Sequence, residues 1–358
     1  MNTALERLMQ RLQTSGTEAI LLHSPQNRRY ITQTRTSAGV LAVTAAGEAV
    51  LAVDFRDYTA AKNALSGSQI SVEQIEAGAE DVWSAEFLRR SGAARVYVED
   101  GYLTWNRVEA LRARCGLELC PGQAVMDELR QEKSPEELRK ITASQRIAEQ
   151  SLLETWEMVR PGISEQEVAA YLTWRLLTNG AENGEFGIVA ASGPNSALPH
   201  ATPGTRRLCR GDFLLIDFGA IFDGYYSDIT RTVAVGEADE KMREVYAVVL
   251  AANEAAAAQL RAGAAGEEID ACARNVIAQA GYGAYFGHGL GHAVGLDIHE
   301  TPRLWPGSKD VLAAGNVVTV EPGIYLPGQF GVRIEDLLQI LPDGRENLTA
   351  LPRKLQIL

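Results

Sequence analysis

The sequence predicts an α/β (α+β) chain of two domains, residues 1–128 and 129–358, the second made of two pseudo-symmetric halves. Three observations lead there. Short apolar strands alternate with helical stretches over the first ~125 residues. A helix-start signal at Ser134 marks a new beginning. Beyond it, two helical segments match one another at a constant offset, 261 − 160 = 101 residues.

With 358 residues, 46% of them apolar, the chain can bury a substantial core, and its length suits two domains of ordinary size. The 34 Lys and Arg stand against 46 Asp and Glu, a net charge of −12. Such a surface is a poor match for nucleic acid or an anionic membrane, so neither is expected as a partner. Cys115, Cys120, Cys209 and Cys272 form no CxxC pair and read as reduced thiols rather than a disulfide frame. "MNTALERLMQRLQTSG" reads as an amphipathic helix carrying charge throughout, unlike a signal peptide. No run approaches 18 apolar residues, the length of a membrane span. A soluble, cytoplasmic protein is expected.

In the first domain "AILLH", "GVLAV", "AVLAVDF" and "RVYVED" read as strands of a mixed sheet, and "DVWSAEFLRR" and "TWNRVEALRARCG" as helices. At "RQEKSPEELRKI", Ser134 is the N-cap, Pro135 the first helical position, and Glu137 closes a capping box. That helix is expected to run to about Val159 and stop at "RPG"; Ser164 and Glu167 open the next one in the same way. "VRPGISEQEVAAYLTWRLLTNG" then aligns with "LRAGAAGEEIDACARNVIAQAG". Arg160 meets Arg261, Gly162 meets Gly263, Glu167 meets Glu268, Val168 meets Ile269, Ala170 meets Ala271 and Gly180 meets Gly281. Matches in register without a gap predict duplicated, βαβ-like halves meeting at a seam, a favoured place for a ligand.

Strand-like sequence after each repeated helix carries acids in odd places. "GDFLLIDFGAIFDGYYSDITRTVAV" reads as two strands around a turn near "FDG", with Asp217 inside one and Asp228 on the return. "NVVTVEPGIY" ends an apolar strand at Glu321, and "GVRIEDLLQIL" places Glu335 in another. One such acid is explained by an edge strand facing water, or by an ion pair to Arg231 or Arg333. Four, matched between the halves, point to a shared cation, because charge in an apolar strand costs several kcal/mol unless paired or bound to metal. "GHGLGHAVGLDIHE", residues 287–300, adds His288, His292 and His299, three of the chain's 5 histidines. Gly287, Gly289 and Gly291 argue against a regular helix and for close approach of the backbone to a site. One ligand and two proton carriers is the division these histidines suggest, and oxygen donors with one imidazole suit Mn²⁺ or a similar divalent ion.

"ALPHATPG", "LLIDFGAIFDGYYSDITRT", "GHGLGHAVGLDIHE", "TVEPGIY" and "GVRIED" resemble, in order and spacing, the signature segments of the pita-bread metallopeptidases. "NRRYITQTRTSAGVLAV" and "AVDFRDY" resemble the creatinase-type domain that precedes the catalytic domain in aminopeptidase P and prolidase. The resemblance implies a creatinase-like N-terminal domain with a mixed sheet, then a pita-bread catalytic domain. It implies two divalent ions per subunit, Mn²⁺ or else Co²⁺ or Zn²⁺. Their ligands would be Asp217, Asp228, His292, Glu321 and Glu335, with Asp228 and Glu335 bridging both. Glu321 would be the general base for a hydroxide formed at the ions. His288 and His299 would bind substrate and stabilise the tetrahedral intermediate, and His200 would position substrate or help protonate the leaving nitrogen. Arg333 matches the arginine before the final ligand in proline-specific members, and Arg333 and Tyr325 are its substrate-binding candidates. Tyr225 and Tyr226 either line a slot for the proline ring or pack in the sheet.

The activity so implied is hydrolysis of the Xaa-Pro bond at the N-terminus of peptides with proline second, by an Xaa-Pro aminopeptidase working as a homodimer. The alternative is an Xaa-Pro dipeptidase (prolidase), which shares the metal site and blocks the subsites beyond proline. A methionine aminopeptidase usually lacks the leading domain. A metal-free creatinase-like amidinohydrolase lacks the full ligand set, and a catalytically inactive peptide-binding module would keep only the fold.

Overall fold

A computed structural model describes residues 3–182 and 187–358. The chain divides into two compact units, Met1–Arg130 and Gln131–Leu358. No helix among the described residues is long and apolar enough to cross a membrane.

The first unit is built on strands β1 (Ala19–Leu22), β2 (Val40–Thr44), β3 (Ala49–Asp54), β4 (Ser71–Ile75), β5 (Arg95–Val98) and β6 (Glu118–Pro121). Its helices are α1 (Ala4–Ser15), α2 (Pro25–Thr32), α3 (Phe55–Ala64), α4 (Glu80–Ser91), α5 (Trp105–Cys115) and α6 (Gln123–Gln131). The sheet order is β4-β3-β2-β1-β5-β6. β2 runs antiparallel to β1 and β3, while β1–β5, β5–β6 and β3–β4 are parallel, which makes the sheet mixed as the alternation implies. Strands β1, β2 and β3 are buried along their whole length, hence their unbroken apolar sequence. β4 and β6 have no such run because they lie at the edges, where β4 has no fully buried residue and β6 has one.

The second unit opens with α7 (Pro135–Trp156) and α8 (Glu165–Thr178), and both expected capping boxes form. Helix α7 stops short of Val159, whose N–H bonds to Trp156 O in a tightened turn. Strands β7 (Val189–Ser192), β8 (Phe213–Phe218), β9 (Ile221–Phe222), β10 (Tyr225–Tyr226) and β11 (Ile229–Ala234) complete the first half. The second half repeats the plan with α9 (Glu240–Gln259) and α10 (Gly266–Gln279). Its strands are β12 (Gly291–Ala293), β13 (Glu300–Leu304), β14 (Val317–Val320), β15 (Gly323–Leu326), β16 (Phe330–Arg333), β17 (Asp336–Leu341) and β18 (Gly344–Asn347).

The duplication is visible, but the halves are not βαβ-like. β7–β8 and β8–β11 are antiparallel, as are β12–β13, β12–β14, β14–β17 and β17–β18. Parallel pairing needs a crossover, whereas here short hairpins, β9–β10 and β15–β16, join the paired strands. The turn of β9–β10 holds Asp223 at φ 46° and Gly224 at φ 79°, the two positive values a type I′ hairpin requires. Each half keeps its own apolar core. Leu152 and Leu172 of the first helix pair pack with Leu214, Ile216 and Ile229; Val249 and Ile269 of the second pack with Val318, Val320 and Leu338.

The halves meet where β11 lies beside the segment joining β16 to β17. Glu335 N–H donates to Thr230 O at 3.1 Å, Arg333 N–H to Thr232 Oγ1 at 3.2 Å, and Thr232 Oγ1–H to Arg333 O at 3.0 Å. Side chains alternate across this seam, so Thr230 and Glu335 face one side while Arg231 and Asp336 face the other. Arg231, 1% exposed, donates to Asp336 Oδ1 (2.8 Å), Thr230 O (3.0 Å), Glu335 O (2.5 Å), Leu351 O (2.8 Å) and Pro352 O (3.2 Å). This clamp serves the seam and leaves the acids of the opposite face unneutralised. Replacing Arg231 with Met leaves Asp336 with the hydrogen bond from Asn347 (3.0 Å) and the longer pair to Arg353 (3.5 Å), and urea unfolding of the second unit is expected to show a loss of ~1–3 kcal/mol. Adding Asp336→Leu is expected to recover much of it; an undiminished loss in the double variant would separate the clamp from the ion pair.

Candidate active site

Four acids converge on the face of the seam opposite Arg231. Asp217 lies in β8, in register with Thr230. Asp228 precedes β11, Glu321 follows β14, and Glu335 lies between β16 and β17. Only Asp217 is thus inside a strand, which corrects the expectation of four acids on four apolar strands. The other three sit at strand ends, where hairpins leave the sheet, and Glu335 keeps the alternation that turns Asp336 to the opposite face. The spacing differs between halves, 228 − 217 = 11 against 335 − 321 = 14 residues, because the second hairpin is longer.

His292 enters from β12. Its Nδ1 lies 3.1 Å from Ala293 O, and a carbonyl only accepts, so the proton is on Nδ1. Nε2 then presents a lone pair 3.4 Å from Glu321 Oε1 and 3.7 Å from Asp228 Oδ2. A lone pair aimed at carboxylates calls for a cation or a proton between them. Asp228, His292 and Glu335 each offer a ligand atom within 4.8 Å of the others, a grouping able to hold a metal ion. Thr230 Oγ1 donates to Glu335 Oε2 at 2.7 Å and Thr319 Oγ1 to Glu321 Oε1 at 3.1 Å, fixing both carboxylates. Asp217 lies outside this group of three and is paired with Arg333.

The electrostatics agree with a cation site. Burial, and after it the charges of Asp217 and Glu321, push the Asp228 carboxyl well above the usual range. Burial and then Asp228 do the same to Glu335. Glu321 rises to about 8, chiefly through burial. His292 falls to about 4 through burial and the neighbouring His299, whose ring lies 4.4 Å away, and so stays neutral and free to ligate. Four carboxylates and one neutral imidazole fit a hard or borderline divalent ion.

A cavity of about 320 Å³ opens above these groups, lined by Pro199, His200, Asp217, His288, His292, His299, Arg303, Trp305, Glu321 and Arg333 among others. Arg333 is 3% exposed; besides Asp217 its guanidinium donates to Tyr325 Oη at 2.6 Å and Thr230 Oγ1 at 3.1 Å. His288 Nδ1–H donates to Gly289 O at 2.7 Å, which leaves Nε2 to accept from the Tyr325 hydroxyl at 2.9 Å. Arg333, Tyr325 and His288 therefore form one hydrogen-bonded string along the cavity wall. Tyr225 belongs elsewhere: it is buried, with its hydroxyl on Glu137 Oε1. The glycines of residues 287–291 are needed unequally. A Cβ on Gly291 would lie 2.2 Å from Thr319 O and one on Gly289 2.9 Å from Trp305 Cβ, whereas Gly287 has open space. Thr230, Thr319, Arg303 and Trp305 escaped the sequence reading. The threonines carried a weak signal, as polar interruptions in "DITRT" and "VVTVE".

Comparison with known proteins gives the same picture. A family model described as Metallopeptidase family M24 matches residues 139–342, and one for the Creatinase/Prolidase N-terminal domain matches residues 5–131. The chain is 35% identical over 356 residues to the Xaa-Pro dipeptidase of Pyrococcus horikoshii, with 99% of each sequence covered. Its structure is similar to that of an Xaa-Pro dipeptidase from Bacillus anthracis, with TM-score 0.93, 37% identity and 99% of both chains covered. An X-Pro aminopeptidase from Thermotoga maritima matches with TM-score 0.91 and 32% identity, again over 99% of both chains. Fold, acid cluster and similarity along nearly the whole length agree: the chain belongs to metallopeptidase family M24 and carries a creatinase/prolidase-type N-terminal domain.

Proposed function

We propose that this hydrolase cleaves the bond between an N-terminal residue and a following proline, using two Mn²⁺ ions held by Asp217, Asp228, His292, Glu321 and Glu335. The observation that carries this reading is the cavity in which metal-type donors, His200, His299 and Arg333 face one another. Asp228 and Glu335, the most central acids, would help hold both ions. When bound, two such ions supply an acidified water and a polarised carbonyl. The chain supplies the rest. Glu321 takes the proton of the attacking water. His299 and His200 meet the developing oxyanion and the leaving nitrogen. Arg333 and Tyr325 orient the substrate from the wall. His288 holds its Nε2 as an acceptor from Tyr325, so in this tautomer its part is to fix Tyr325 and wall the substrate rather than to donate to the intermediate. In this reading the protein acts as a homodimer, as the resemblance implies, and in the cytoplasm, as its unpaired cysteines suggest.

The aminopeptidase form is supported by a second recess of about 280 Å³, lined by Arg274, Phe286, Gly287 and Pro306, which shares His288, Gly289 and Trp305 with the cavity. It offers room for residues after proline. The dipeptidase form is supported by the relatives: the dipeptidases from B. anthracis and P. horikoshii are 37% and 35% identical, the aminopeptidase from T. maritima 32%.

Turnover of Ala-Pro and Ala-Pro-Ala by metal-free protein reloaded with Mn²⁺ distinguishes the two. Cleavage of both marks the aminopeptidase and cleavage of the dipeptide alone the dipeptidase. Silence on both, with two ions bound, would overturn the proline reading. Asp228→Ala and Glu335→Ala are each expected to lose both ions by elemental analysis and nearly all activity; full metal content in either would remove it as a shared ligand. The acids also set a pH dependence. Their folded pKa values lie above the unfolded ones, so in metal-free protein they favour the fold at low pH and oppose it as pH rises from about 4 towards 8. The Tm gained on adding Mn²⁺ is therefore expected to be larger at pH 8 than at pH 5, and an equal gain at both would contradict the site.

A further inference from the structure

We propose that Asp270 and Arg274 of α10, which hold neither the metal-type donors nor the Xaa-Pro unit, are positioning residues for His288. The inference rests on the peptidase reading above and concerns the loop that brings His288 to the cavity. An i,i+4 acid–arginine pair on a helix is ordinarily a solvated surface pair that adds little. This one is built differently. Asp270 is 2% exposed and accepts from Arg274 Nε (2.9 Å) and Nη2 (2.8 Å). Its Oδ1 also accepts from Leu290 N–H at 3.1 Å. Arg274 sends Nη1 to Phe286 O and Nη2 to His288 O, both at 2.8 Å. The pair thus grips the loop backbone at residues 286, 288 and 290, on both sides of the histidine and at the histidine itself.

The grip reaches the ring as well. The Arg274 guanidinium lies 4.3 Å from the centre of the Phe286 ring, and Phe286 meets the His288 imidazole edge-on, with centroids 5.0 Å apart and planes at 90°. His288 passes the constraint through Tyr325 to Arg333, and Arg333 holds Asp217. Helix α10 is in this way tied to the cavity wall by one continuous series of bonds. The first half has a counterpart. Glu165 of α8, 1% exposed, accepts from Ser192 N–H (2.7 Å), Ser192 Oγ–H (2.8 Å), Asn195 Nδ2–H (3.1 Å) and Gly204 N–H (3.1 Å), on either side of the segment that carries His200. In each half a buried acid of the second helix secures the chain that presents a cavity histidine.

The test compares Arg274→Gln, Arg274→Lys and Arg274→Ala in the full-length protein reloaded with Mn²⁺, with Ala-Pro as substrate. Arg274→Gln is expected to lower kcat ~10–100-fold through a loosened His288, with KM changed less than threefold and bound metal unchanged. Lysine, which keeps one donor, should restore part of the rate, and added guanidinium chloride at non-denaturing concentration should restore part of it to Arg274→Ala. A second readout does not depend on turnover: the His288 Nδ1–H proton signal, identified by its loss in His288→Gln, is expected to shift or exchange faster in Arg274→Gln. Unaltered kcat and an unaltered His288 signal would overturn the proposal, as would a parallel fall in metal content, Tm and rate. If unaltered protein is silent on the peptide, the peptidase reading fails on its own, and the His288 signal still decides whether the clamp exists.

Discussion

Carboxylates placed side by side away from water repel one another, and the second unit is organised around having done so. Asp228 and Glu335 are nearly completely buried at the junction of the two halves, with Glu321 beside them. Desolvation and mutual repulsion hold their protons far more tightly than water would. The protein could have placed arginines among them. Instead Arg231 is turned to the back of the seam, where it meets Asp336, and Arg333 forms an ion pair with Asp217 alone among the four acids. The central charge is left for something smaller than a guanidinium and more highly charged. That separation depends on strand alternation: neighbouring residues 230 and 231, and again 335 and 336, look in opposite directions.

Much of this was legible beforehand. Both capping boxes of the second unit are local chemistry, settled within a few residues, and they form where the sequence places them. The duplicated helices were visible because their register is unbroken. Strand direction was legible only at the turn near "FDG", which marks a return strand; elsewhere an apolar run followed by an acid looks the same in a parallel or an antiparallel ladder. β4 and β6 escaped because an edge strand carries no unbroken apolar run. The part of Arg231 was legible only as an ion pair of unknown partner, since Asp336 and Glu335 are adjacent in sequence and only the pleat distinguishes them.

The histidines illustrate a further limit of residue types. Sequence places His288 and His292 four apart among glycines and gives them comparable chemistry. Their surroundings separate them through a proton. Both give Nδ1–H to a backbone carbonyl, but the Nε2 of His292 faces acids and that of His288 faces a phenol. The same tautomer makes one a ligand and the other a prop for Tyr325. Gly291 and Gly289 serve this arrangement by leaving space for Thr319 O and Trp305, so they act through contact distance rather than through left-handed backbone.

The unequal hairpins have a consequence for how such a scaffold can change. Between the paired acids lie chain segments of different length in the two halves, yet the acids of both arrive at the same junction. The sheet anchors each acid at the base of its hairpin, so the distance along the chain is immaterial to where the carboxylate ends up. Insertions at the hairpin tips are then nearly neutral for the metal-type donors. Within its own duplicated architecture the molecule already carries one experiment in that freedom: rim and centre can drift independently, and new substrate preferences can be tried at the tips without rebuilding the chemistry at the base.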